Sequence, residues 1–152
     1  MLVVGPWDKT AGQSKWRIKY IMYKLAVFST AIFAFFIGWV VYMADTGQKS
    51  IFFDLVKMIP FGDKIGHFLL FGFLALGANI VFKLRGMRIG NINLFYGAIV
   101  IFVVVVIEEV SQKFMPGRTF DINDIMASLA GIVAFSLIPP GFLLKKQEPG
   151  QA

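Results

Sequence analysis

Nine side chains in this sequence are of kinds that do chemistry in company. Asp63, Lys64 and His67 stand together in "GDKIGHF", and Glu108, Glu109, Gln112, Arg118, Asp121 and Asp124 follow within 17 residues in "IEEVSQKFMPGRTFDIND". These types suit an anionic group. Arg118 and Lys64 can donate to phosphate, the Arg fork in bidentate fashion. His67 can serve as nucleophile or general base, with Glu109, drawn out of water, as the matching acid. The two cations would then stabilise charge developing on a phosphoryl group. Asp121 and Asp124 begin a site for a hard divalent cation, but two carboxylates do not complete one; no metal and no cofactor is expected. With no Cys and a single His, thiolate and multi-His metal sites within one chain are excluded. No G-x-S-x-G stretch or nucleotide loop is present, so nothing fixes a nucleophile.

Each group also has a plainer reading. Asp121 can be a helix N-cap with Asp124 as the acid of the first turn, and Asp63 can cap the helix it opens. Lys64 and Lys113 can reach lipid head groups, and Arg118 can be a lone phosphate anchor. Glu108 can be a solvated neighbour of Glu109, and His67 can hold a structural hydrogen bond.

The elements that must position these residues are apolar. The chain is 57% hydrophobic and only 16% charged, with 17 Phe among 152 residues. Its mean hydropathy is +0.72. Soluble domains carry about a quarter charged residues, so an integral membrane protein is expected. Leu25 to Met43 is an uncharged stretch about 28 Å long as a helix, which matches the hydrocarbon core. Ile65–Phe82, Ile92–Ile107 and Ile125–Leu144 are the further spans, the last interrupted at Pro139-Pro140-Gly141. Only helices and closed barrels satisfy their backbone in lipid, and four segments are too few for a barrel. The expected fold is all-α: a four-transmembrane-helix bundle with spans at 25–43, 65–82, 92–107 and 125–144. A basic N-terminal segment (1–24) and a tail (145–152) flank the membrane domain (25–144), and residues 1–20 are expected to be loose. "KSIFFDLVKMIP" (Lys49 to Pro60) reads as a short interfacial helix between the first two spans, capped by Ser50 and stopped by Pro60; a packed loop is the other reading. No cleavable signal peptide is expected, because the first span starts at residue 25 and is full length.

Charge sets the orientation. Ten of the 15 Lys and Arg fall in the N-terminal segment, the loop after the second span and the tail. The positive-inside rule then puts both termini in the cytoplasm of a multi-pass plasma-membrane protein. The net charge of +6 is thereby explained by anionic inner-leaflet lipid, and no nucleic-acid partner is expected. The nine polar side chains then share the outer side. Charged groups near membrane depth face a bundle interior or a wet cavity. Helical spacing puts Asp63 with His67, Glu109 with Gln112, and Asp121, Asp124, Ser128 and Gly131 on common stripes. Pro116-Gly117 suits a type II turn that swings Arg118 back over the cavity, where Glu109 and Arg118 are expected to be coupled. Ala127-x3-Gly131 and Ala130-x3-Ala134 are small-residue packing patterns.

In these residues the sequence resembles the VanZ-like family. The matches are "DKIGHF" (Asp63, Lys64, His67, Phe68), "EVSQ" (Glu109, Gln112), "PGR" (Pro116, Gly117, Arg118) and "DINDIMASLAG" (Asp121, Asp124, Gly131). Their order and spacing together are more specific than any piece alone, and the resemblance covers roughly residues 25–140. Ser128 stands where the family usually has Asn, so a hydroxyl replaces an amide donor there. The family is named for a protein associated with teicoplanin resistance. The resemblance implies a link to the cell envelope, not a reaction. The leading reading is therefore an outer polar pocket (Asp63, Lys64, Gln112, Arg118, Asp121, Asp124 and Ser128) that binds an anionic lipid, another envelope ligand or a partner protein. A hydrolase or transferase acting on phospholipid or polyprenyl phosphate through His67 and Glu109 is the alternative. A structural subunit of a larger membrane complex is the third. An ion pathway is disfavoured, because the inner half offers little beyond Asn79 and Asn93.

Overall fold

A computed structural model describes residues 9–47, 56, 58–90, 92–115 and 118–138, with side chains from Trp16 onward. The fold is mostly helical. Helix α1 spans Lys9–Asp45, α2 Gly62–Val81, α3 Tyr96–Ser111 and α4 Ile122–Ser136. A short 3-10 turn, Gln112–Phe114, follows α3.

Three expectations need correction. First, the fold is not purely helical. Strands β1 (Gly86–Ile89) and β2 (Ile92–Phe95) form an antiparallel hairpin between α2 and α3, with Gly86 opposite Phe95 and Ile89 opposite Ile92. Ile92–Phe95 therefore opens the predicted third span as a strand, and α3 begins at Tyr96. Gly90 takes φ +59° at the tip, a conformation open to Gly, and the flanking Ile residues favour an extended chain. Second, residues 9–20 are helical rather than loose. At 37 residues, α1 is about 55 Å long, well beyond the ~30 Å hydrocarbon core. Third, Ala130 and Ala134 are exposed, so that small-residue pair is not part of the buried packing among the described residues. The interfacial helix expected at 49–60 lies mostly outside the described residues. The Pro116-Gly117 turn, the Pro139-Pro140-Gly141 interruption and the tail lie wholly outside them.

Among the described residues, two helices are long and apolar enough to cross a membrane: Trp16–Asp45 within α1, and Gly62–Val81. Ile122–Ser136 is a shorter apolar helix. α2 is the central element and packs on α1, α3 and α4, most extensively on α4. Small residues set that closest approach: a Cβ on Gly131 would overlap the Phe68 carbonyl, and one on Gly72 would meet the Phe135 ring at 2.6 Å. The core consists of Ile37, Phe71, Leu74, Ala75, Ala78, Ala98, Ile101, Val105 and Ile132. Outside it, Phe28, Phe35, Trp39, Val103, Ile107 and Met126 are exposed. Water does not tolerate so wide an apolar surface on a monomer, whereas lipid does.

One buried polar residue ties the helices together. Asn79 Oδ1 accepts from the Ala98 N–H at 2.8 Å, and Nδ2 donates to Ser136 Oγ at 3.0 Å. Ala98 lies in the first turn of α3, whose amides have no partner within the helix. A side chain on α2 thus caps α3 and links to α4.

Candidate functional site

Every acid among the described residues collects at one end of the bundle. Asp45 ends α1, Asp63 lies in the first turn of α2, and Glu108 and Glu109 are in the last turn of α3. Asp121 caps α4, and Asp124 is in its first turn. The hairpin and the start of α1, which carry Arg17, Lys19, Lys24, Lys83, Arg85 and Arg88, lie toward the other end. Tyr23 Oη donates to the Val81 carbonyl there at 3.0 Å.

Helical periodicity decides which acids are buried. The buried face of α3 runs Gly97, Ile101, Val105, Glu109, a stripe repeating every four residues, so its last member carries a carboxylate into the core. On α4 the buried face holds Asp124, Ser128 and Gly131, the stripe expected from spacing. Phe61 introduces α2 in the left-handed region at φ +57°, an unusual conformation for a bulky residue.

Lys64 sits among three carboxylates. Its Nζ donates to Asp121 Oδ2 at 2.9 Å, Asp63 Oδ2 at 3.0 Å and Asp124 Oδ1 at 3.1 Å. The ammonium thus occupies the middle of an acid triad that would otherwise repel itself. Asp121 does two jobs: Oδ1 accepts from the Asn123 N–H at 2.8 Å as an N-cap, while Oδ2 binds Lys64. The Lys64 hydrogen bond, followed by that of the Asn123 N–H, holds the Asp121 carboxyl below the usual carboxylate range.

Glu109 is completely buried. Its Oε1 accepts from the Asp121 N–H at 2.6 Å, and Oε2 is 3.4 Å from Gln112 Nε2. Gln112 donates more closely to Glu108 Oε1, at 2.7 Å. Glu108 is not the solvated neighbour that its position beside Glu109 allowed: its side chain is 10% exposed, and Oε2 is buried with no hydrogen-bond partner.

Arg118 does not pair with Glu109. Its Nε is 3.6 Å from Asp45 Oδ1 and a terminal nitrogen is 3.8 Å from Glu108 Oε1. Nε and Asp45 Oδ1 are both buried without a hydrogen-bond partner among the described residues. Asp45 is the residue that spacing alone did not select. It lies far from both motifs, and its only signal was its place at the end of the first span, on the same side as the others.

His67 Nδ1 is 3.2 Å from Ser128 Oγ, and Nε2 is 3.9 Å from Asp124 Oδ2. The ring lies 5.6 Å from that of Phe71. This resembles a Ser-His-acid arrangement, but Ser128 is wholly buried, so its hydroxyl orients the imidazole rather than attacking a substrate.

A cavity of about 150 Å³ opens beside these groups. Ile37, Val40, Val41, Leu70 and Phe71 form apolar walls, and Asp63, His67, Glu108 and Arg118 are the polar lining. Lys64, Glu109, Gln112, Asp121, Asp124 and Ser128 lie behind or beside it rather than lining it. Of the two neighbouring glutamates, Glu108 and not Glu109 lines the cavity with His67.

No curated protein and no solved structure matches this chain. The VanZ/LLP1 family profile matches residues 2–144, nearly the whole chain, and spans both polar motifs and all four helices. By that match, together with the apolar helices that carry the site, the chain is a membrane protein of the VanZ/LLP1 family.

Proposed function

We propose that this protein binds the head group of an anionic amphiphile, a phospholipid or a polyprenyl phosphate, in a pocket on the outer side of the cell membrane. The observation that carries the reading is the cavity. Its walls are apolar and its end is polar, as an amphiphile is. At about 150 Å³ it has room for about five waters, which suits a head group with its chains left in the bilayer. Arg118 is the donor of choice. It lines the cavity, and its Nε has no hydrogen-bond partner among the described residues, so a phosphate oxygen gains a charge-assisted bond there, set against the repulsion of Glu108 and Asp63 on the same wall. Lys64 is already held by three carboxylates and serves as a strut for the site.

In the same reading α3 and α4 complete a four-span bundle with both termini in the cytoplasm. At 16 and 15 residues they are about 24 and 22 Å long, short of the ~30 Å core, and α3 relies on the hairpin below it to reach the inner interface.

Native mass spectrometry of gently extracted protein tests the binding. A retained phosphate-bearing lipid that disappears in Arg118→Ala and stays in Arg88→Ala supports the pocket. A bare chain in every preparation, or a lipid that both variants retain equally, refutes it. A co-purifying protein held through the Arg118 surface would replace the lipid reading with a partner subunit.

A further inference from the structure

We propose that His67, Glu108 and Glu109 form a binding site for one divalent transition cation of the Mn²⁺ or Zn²⁺ type. The site stands on its own residues and does not need an amphiphile in the pocket.

Four observations support it. One ring nitrogen of His67 and one carboxylate oxygen each of Glu108 and Glu109 lie within 4.8 Å of one another. An ion with bonds of about 2.1 Å holds tetrahedral ligands about 3.4 Å apart, so the three atoms need draw in by at most about 1.4 Å, within reach of glutamate rotamers. Next, each of the two carboxylates has an oxygen free to bind. Glu108 Oε2 is buried in a side chain only 10% exposed and has no hydrogen-bond partner. Glu109 Oε2 has only the long 3.4 Å contact with Gln112. His67 Nδ1 lies 3.2 Å from Ser128 Oγ; in the tautomer whose Nδ1–H donates to that hydroxyl, Nε2 keeps its lone pair for a metal.

The third observation is charge. The cluster contains six carboxylates (Asp45, Asp63, Glu108, Glu109, Asp121 and Asp124) and two permanent cations, Lys64 and Arg118. Counted as ionised, with His67 neutral, that leaves four negative charges within the cluster, with the exposed Lys113 a further cation at the same end. The carboxylates of the other triad, Asp63, Asp121 and Asp124, already hold the Lys64 ammonium between them. With Lys64 that triad keeps two of the negative charges, and the other two fall on the group of Asp45, Glu108 and Glu109 around Arg118. The fourth is position. These two acids are in the last turn of α3, the negative end of the helix, where a carboxylate is disfavoured and a cation is favoured. A dication there offsets both carboxylates and the helix end together.

One imidazole nitrogen with two carboxylates selects Mn²⁺ or Zn²⁺ over Mg²⁺ and Ca²⁺, which prefer all-oxygen sites. His67 and Glu108 also line the cavity, so the remaining coordination positions open toward it.

The test uses the full chain in detergent, stripped with a chelator and titrated with Mn²⁺ alone and Zn²⁺ alone. One Mn²⁺ per chain should bind, with nitrogen coupling in pulsed electron paramagnetic resonance that is absent in His67→Ala. Glu108→Gln preserves shape and should weaken binding by more than about 10-fold, while its far-ultraviolet circular dichroism matches the parent. Absence of binding by either metal up to about 1 mM, where weak extracellular cation modules still work, overturns the site. So does bound Mn²⁺ without nitrogen coupling, or binding lost in Asp63→Asn and kept in Glu108→Gln. Because no lipid enters the titration, its failure leaves the amphiphile experiment untouched, and the reverse also holds.

Discussion

Arg118 and Lys64 are both cations beside carboxylates, yet they behave differently. Lys64 is saturated by three short hydrogen bonds, whereas Arg118 makes two long ion contacts and keeps a buried nitrogen unpartnered. Removing Lys64 leaves Asp121 and Asp124 facing each other uncompensated. Lys64→Met should therefore lower stability in detergent by about 1–3 kcal/mol, less than for a fully buried pair because the side chain is 26% exposed. The acid limb should move as well. A carboxyl held below its ordinary range contributes stability that is complete above about pH 4 and is lost as the pH falls through its folded pKa. The melting temperature of the parent should stay flat down to about pH 4 and then drop; in Lys64→Met that acid-side drop should shrink. For Arg118, a double-mutant cycle with Glu108→Gln should give a coupling of about 0.5–1 kcal/mol, and the cycle with Glu109→Gln should be additive within about 0.5 kcal/mol. The reverse ranking would place Arg118 against the wrong acid.

Among the elements, the contact between α2 and α4 holds the site together, since it brings Lys64 and His67 to Asp121, Asp124 and Ser128. Gly131 permits it by removing a Cβ that would strike the Phe68 carbonyl. Gly131→Ala should destabilise by about 1–3 kcal/mol and loosen the His67–Ser128 contact one turn away. Ala134→Leu, on an exposed face, should change the melting temperature little. Asn79→Ala should cost about 1–3 kcal/mol, because it strands the Ala98 amide inside the core. Thermal unfolding in one detergent ranks all three, and a neutral Gly131→Ala would mean the helices are farther apart than described here.

For the whole molecule, the division of charge between the two ends is the feature that sets orientation. The acids cluster where α1 and α3 end and where α2 and α4 begin, together with Lys64, Lys113 and Arg118, while Arg17, Lys19, Lys24, Lys83, Arg85 and Arg88 lie toward the hairpin end, with no acid among the described residues there. The absence of Cys makes single-cysteine mapping clean. With a membrane-impermeant maleimide, Phe114→Cys at the acidic end should react in intact cells. Arg88→Cys in the hairpin should react only after the membrane is opened. Labelling in the opposite order would invert the protein and place the pocket in the cytoplasm.

Membrane residence, the two long apolar helices and the grouping of the polar residues at one end, Asp45 excepted, were legible from sequence. Hydropathy and periodicity are local properties: a 19-residue uncharged run has one comfortable environment, and Asp124, Ser128 and Gly131 share a helix face whatever surrounds them. The hairpin was also written locally, in "RIGNINLF" (Arg88 to Phe95), but the apolar run that follows masked it, since Ile and Leu serve strand and span alike. Which charges pair was a different matter. Glu108 and Glu109 are neighbours in the chain, and only the packing of α3 on its partners decides that Glu109 goes to the Asp121 amide while Glu108 faces the cavity and Arg118. Asp45 joins them from 63 residues before Glu108. Pairing of charges depends on distances between helices, which carry no periodicity along the chain, so the tertiary structure alone decides it.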